Sequence, residues 1–131
     1  MATPSEIVTG FAAALDAENY QSALSYLAEH CVYDSPTGAL TGSTSVVDSY
    51  KGNGNEARDR FDFIAYRHEV IPLDDDWFQI TFVDELYHRK RSHVFRCNQR
   101  VCIDKGKIVR IIHEEIPGQR DRLNEFMQSF G

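Results

Sequence analysis

The chain has 131 residues, of which 42% are hydrophobic and 26% charged, and its formal net charge is −6. That length suits one core rather than two, so a single domain over residues 1–131 is expected, and the composition excludes disordered and membrane-spanning chains. The acidic balance argues against nucleic acid as a partner, because that affinity comes mainly from lysine and arginine displacing phosphate counterions.

Residues 1–6 lack a basic region followed by an apolar one, and no run approaches the roughly 18 apolar residues that cross a bilayer, so a cytoplasmic protein with no membrane partner is expected. Thr3-Pro4-Ser5-Glu6 combines an N-cap, a proline at the first helical position and a glutamate three residues after the cap. It predicts a helix over 4–17, with Ile7, Phe11, Ala14 and Leu15 on one face. Tyr20, Ala23, Leu24 and Leu27 repeat the spacing in a second short helix. Cys31-Val32-Tyr33-Asp34 reads as a strand stopped by Ser35-Pro36-Thr37-Gly38, and Gly42-Ser43-Thr44-Ser45 as the start of a third helix carrying Val46, Val47 and Tyr50. Gly52-Asn53-Gly54-Asn55 is expected to end it.

From Phe61 the periodicity changes to two, predicting strands over 61–73, 77–87, 92–104 and 107–116. His88-Arg89-Lys90-Arg91 is read as a solvated turn and Asp104-Lys105-Gly106-Lys107 as a tight hairpin. From Pro117 a last helix carries Leu123, Phe126, Met127 and Phe130 as an apolar stripe. Helices gathered ahead of a meander define an α+β domain whose curved sheet wraps over them and encloses a pocket. Cys31, Cys97 and Cys102 are odd in number and lack C-x-x-C spacing, which suits reduced thiols better than a disulfide framework or zinc site.

Leu15-Asp16-Ala17-Glu18-Asn19-Tyr20, then residues 27–36, Leu27 to Pro36, then Gly42 and Asp104-Lys105-Gly106-Lys107-Ile108-Val109 together resemble SnoaL-like and ketosteroid-isomerase-like proteins of the nuclear transport factor 2-like superfamily. The resemblance covers nearly the whole chain and implies a cone-shaped, mixed to antiparallel sheet, a cystatin-like α+β roll. It puts Asp34 at the position of the isomerases' general base, although an aspartate there also caps the turn before Pro36. An apolar cone would raise the pKa of such a carboxylate and suit it to removing a proton beside a carbonyl. The isomerases' oxyanion donors fall on Phe11, which has no hydroxyl, and on Gln99, which donates only as a neutral amide.

Strand alternation groups Tyr66, His68 and Val70 on one face, Phe78, Ile80, Phe82 and Asp84 on another, and His93, Phe95, Cys97, Gln99, Val101 and Ile103 on a third. His68, Asp84, His93 and Gln99 are thereby expected in the pocket. The family register turns Val109, Ile111, His113 and Glu115 inward, while Ile108 and Ile112 make the other face equally apolar. A likeness to scytalone dehydratases adds Asp34 with His68 and His93 as a catalytic set and Tyr50 or Tyr66 as a carbonyl polariser. Leu15 completes the expected lining. No close histidine spacing supports a metal site, and no cofactor is implied.

Two functions follow as expectations. One is an isomerase or lyase acting on a small apolar carbonyl compound, with Asp34 as base and His68 or His93 as acid. The other is a non-catalytic ligand-binding or dimerisation module. A homodimer through the outer sheet face, near Trp77, Thr81 and Val83, is expected with either.

Overall fold

The computed structural model describes residues 2–130. Helix α1 (Pro4–Asp16) begins with the reciprocal cap its sequence encodes: the Glu6 amide donates to Thr3 Oγ1 and the Thr3 amide to Glu6 Oε1, both at 3.1 Å. Its buried stripe is Ile7, Val8, Phe11, Ala12 and Ala14. Helix α2 (Tyr20–Ser25) is capped by Asn19 and is shorter than expected. Leu27 already belongs to β1 (Leu27–Ser35), because the ladder to the last strand captures this backbone: Leu27 pairs with Ile108, whose amide donates to the Tyr26 carbonyl at 2.9 Å.

A further strand, β2 (Gly38–Thr41), starts at the last residue of the expected turn and runs through residues assigned to no element, antiparallel to β1. Helix α3 (Ser43–Arg60) runs straight through Gly52-Asn53-Gly54-Asn55 instead of ending there. Glycine lowers helix propensity by about 1 kcal/mol but breaks a helix only where the chain also turns. Here Val46 and Val47 are buried, Arg58 pairs with Glu18, and Gly54 lets the Tyr20 hydroxyl press against the helix. A β-carbon at position 54 would lie 2.8 Å from that oxygen.

Strands β3 (Phe63–Pro72), β4 (Trp77–His88), β5 (Arg91–Asp104) and β6 (Lys107–Glu115) form the meander, and α4 (Gln119–Gln128) closes the chain. The six-stranded sheet has the order β2-β1-β6-β5-β4-β3 and is antiparallel except for the β1–β6 pair. It is open, with β2 and β3 at its edges. The basic run forms the turn between β4 and β5, with Arg89 and Lys90 both at positive φ, and Lys105 and Gly106 do the same between β5 and β6.

Strand β6 departs from simple alternation. Ile103 pairs with Ile108 but Cys102 pairs with Arg110, so Val109 is bulged out of the ladder. Ile108 and Ile111 are consequently both fully buried, and Val109, expected inward, is only partly covered. That bulge resolves why both faces of the strand read as equally apolar.

The main core lies between α1, α3 and the concave sheet face, around Val8, Phe11, Ile80, Val101, Ile108 and Ile111. A smaller cluster, Leu86, Phe95, Leu123 and Phe126, forms where α4 packs on β4 and β5. The three cysteines are free thiols. Among the described residues no helix is long and apolar enough to cross a membrane.

Candidate functional site

Past Ile80 and Val101 the inward positions of β4 and β5 become Phe82, Asp84, Phe95, Cys97 and Gln99, and the helices no longer fill the space above them. The result is a cavity of about 760 Å³ bounded by the sheet, the ends of α1 and α3, the β1–β2 turn and α4. This is the size range of small-molecule sites. Two clusters stand out among its polar groups.

The first centres on Asp84, on β4. Desolvation, reinforced by the Asp16 carboxylate, pushes its pKa up to about 6, and among the described residues no cation offsets it. Asp16, at the end of α1, is also raised by burial, and a 2.5 Å contact with His68 Nδ1 partly reverses that shift. Beside them the Tyr66 hydroxyl is buried with no hydrogen-bond partner among the described residues. Burial first and Asp84 second raise its pKa, and the nearby Arg58 guanidinium pulls the other way without a well-formed hydrogen bond.

The second cluster is a chain of polar contacts. Tyr50 Oη donates to Gln99 Oε1 at 2.5 Å, and Gln99 Nε2 lies 3.2 Å from His113 Nδ1. His113 Nε2 is 3.5 Å from Glu115 Oε2, and Glu115 Oε1 accepts from Arg120 Nε and Nη2 at 3.0 and 2.9 Å. Burial holds the Tyr50 hydroxyl well above its ordinary pKa and that of neighbouring Tyr33 at about 12. Cys97, also raised to about 12 by burial, stays a thiol and is no nucleophile at neutral pH.

Of the residues expected in the pocket, Leu15, Tyr50, Tyr66, Phe82, Asp84, Gln99, His113 and Glu115 line the cavity. Phe11 lies beneath it, fully buried, with its ring edge-on to Tyr50 at 5.9 Å. His68 stands behind Asp16 rather than on the wall.

Two further expectations are corrected. Asp34 does not enter the cavity: Cys31 is buried and Tyr33 and Ser35 line the interior, so alternation turns Asp34 outward, where Arg110 Nε and Nη2 donate to Oδ2 at 2.9 and 2.7 Å. His93 stacks on Phe126 with ring centroids 5.2 Å apart and belongs to the α4 cluster. Asp16, Tyr33 and Arg120 line the cavity unforeseen. Tyr33 was within reach of the alternation rule, since Asp34 and Tyr33 cannot both face inward. Nothing local marks Asp16 or Arg120, because each depends on how a helix end meets the sheet.

An α+β roll with a polar-lined cavity between helices and sheet is an architecture in which concave small-molecule sites recur. No protein-family model matches the chain, and neither does any curated protein. Solved structures do. TerC, co-crystallised with polyporic acid, is 13% identical at a TM-score of 0.71, with 96% of this chain and 99% of that one covered. A candidate polyketide cyclase from Xanthomonas campestris is 16% identical at 0.69, with coverage of 95% and 94%. An NTF2-like protein of unknown function from Cytophaga hutchinsonii is 17% identical at 0.62, with coverage of 94% and 96%. The chain has the nuclear transport factor 2-like fold.

Proposed function

We propose that the chain binds a small, largely apolar molecule in this cavity and moves a proton on it, with Asp84 as the group that gives or takes that proton. The observation that carries this reading is a half-buried carboxylate facing the cavity beside Asp16, paired with no cation among the described residues, whose pKa desolvation and that neighbour push up to about 6. Above that pH Asp84 serves as a base, and Tyr66 stands beside it with an uncommitted hydroxyl. The reaction class that fits is isomerisation or elimination on a carbonyl compound. A structural neighbour described as a candidate polyketide cyclase and another co-crystallised with polyporic acid support a small-molecule role.

The test uses 2-tetralone in heavy water, with exchange of the protons beside its carbonyl followed by NMR. The protein should accelerate exchange, Asp84→Asn should return it to the buffer rate, and Asp34→Asn should leave it unchanged. Exchange by Asp84→Asn at the wild-type rate would remove Asp84 from the chemistry.

A second reading, a pocket that only holds its ligand, is favoured by the shortage of oxyanion donors. Phe11 stands where the resemblance puts a tyrosine, and the Tyr50 proton is already committed to Gln99. A compound that binds, survives long incubation and is indifferent to Asp84→Asn would support it.

Association of two copies through the outer sheet face belongs to the same proposal and draws on Phe63 and Ile71, which are 62% and 50% exposed. Val83 offers little there. It is 2% exposed and sits in register between Arg67 and Arg96, whose long stems flank it. A monomeric sedimentation profile at high concentration would contradict the dimer.

A further inference from the structure

We propose that the Tyr50 end of the cavity recognises a hydroxyl on the bound molecule: Tyr50 Oη accepts its hydrogen bond, held in that role by the chain through Gln99, His113 and Glu115 to Arg120. This rests on the cavity being a small-molecule site and names the chemistry that one end of it selects.

The direction of the chain follows from its outer end. Glu115 takes two N–H groups from Arg120 on one oxygen, which marks it as an ionised carboxylate that only accepts. The His113 nitrogen nearest its other oxygen, Nε2, lies 3.5 Å away, longer than a formed hydrogen bond but close enough for the carboxylate to favour a proton on it. In a neutral imidazole that leaves Nδ1 as an acceptor, so the Gln99 amide presents its NH2 to His113 and its carbonyl to Tyr50. Gln99 is 3% exposed and engaged at both ends of its amide.

The Tyr50 hydroxyl has one proton, and Gln99 Oε1 takes it. Its lone pairs are what it has left to offer. Tyr33 and the thiols of Cys97 and Cys31 lie near, yet none forms a hydrogen bond with it among the described residues. A ketone or carboxylate oxygen brought to this point would face another acceptor, whereas an O–H or N–H would be satisfied. The Tyr50 end therefore selects hydroxylated over carbonyl-bearing or etherified ends of otherwise similar molecules.

The probes are 2-naphthol and 2-methoxynaphthalene, titrated calorimetrically at pH 8, where an ordinary imidazole is neutral. They share a ring system and differ in the donor. The wild type should bind 2-naphthol about tenfold more tightly, the worth of one buried hydrogen bond. Tyr50→Phe should erase the preference while leaving the ether's affinity within about twofold. Gln99→Met, which frees the Tyr50 proton to donate to the ether oxygen, should narrow it. Thermal melts check that both variants are folded. Equal binding of the two probes by the wild type, or a preference that survives Tyr50→Phe, overturns the inference while the cavity reading stands. Failure of both probes to bind at their solubility limits overturns the cavity reading and this inference with it.

Discussion

Asp34 and Asp84 are chemically the same and are treated oppositely by their surroundings. The Asp34 side chain is 31% exposed and meets the Arg110 guanidinium, itself 54% exposed. Exposed pairs of that kind contribute about 0–1 kcal/mol, so Asp34→Ala should lower the unfolding free energy by no more than that and leave probe affinity untouched. Asp84 is half-buried on the cavity wall and pairs with no cation among the described residues, and its pKa rises from 3.8 unfolded to about 6 folded. Between those values the folded state binds the extra proton, so stability falls as pH rises and the full penalty, roughly 3 kcal/mol, is reached above pH 6. Asp84→Asn should therefore be more stable than the wild type at pH 7, with the difference shrinking as pH falls toward 4. Urea melts across that range measure it. A constant difference would mean that Asp84 titrates alike in both states.

Among the secondary elements, the helical glycines give the clearest contrast. A β-carbon at Gly52 meets nothing within 4 Å, so Gly52→Ala should stabilise α3 by about 0.5–1 kcal/mol through helix propensity and a less flexible unfolded chain. A β-carbon at Gly10 would lie 2.5 Å from Tyr26 Oη and 2.7 Å from Cζ, so Gly10→Ala should destabilise by about 1–3 kcal/mol as Tyr26 is displaced. Thermal melts of the two variants should move in opposite directions. The glycines also show what was legible beforehand. The Thr3 cap, the meander and the hairpin turns follow from local chemistry, and all of them lie close to where the sequence predicts them. The continuity of α3 through Gly52 and Gly54 does not, because it depends on Tyr20 and Glu18 reaching the helix from another element. The Val109 bulge was illegible for the same kind of reason, since one skipped residue reverses the parity on which inward and outward are judged. Asp84 and Gln99 lay on a clean alternation and were found, whereas Asp34 followed the resemblance against the parity of its own strand.

At the level of the whole molecule, the cavity lies between two cores, and α4 belongs to both the smaller core and the cavity wall. Leu123 is 7% exposed and lines the cavity, and Phe126, one helical turn on, is 8% exposed and faces the second cluster without touching the cavity. Arg120, in the first turn of the same helix, lies over the Phe95 ring at 4.8 Å and holds Glu115, so the helix also anchors the outer end of the polar chain that reaches Tyr50. Stability and binding can then be separated along a single element. Phe126→Ala should lose about 3–5 kcal/mol, a buried aromatic removed from a packed cluster. Leu123→Ala should lose less, about 2–3 kcal/mol, because the space it vacates joins an existing cavity instead of opening a sealed void. Binding should rank the other way. Well below both melting midpoints, Leu123→Ala should weaken 2-naphthol several-fold through lost wall contact, while Phe126→Ala should bind it as the wild type does. Should Phe126→Ala weaken the probe as much as Leu123→Ala, α4 would be acting on the cavity as one rigid body, and the wall contact of Leu123 would not be what holds the ligand.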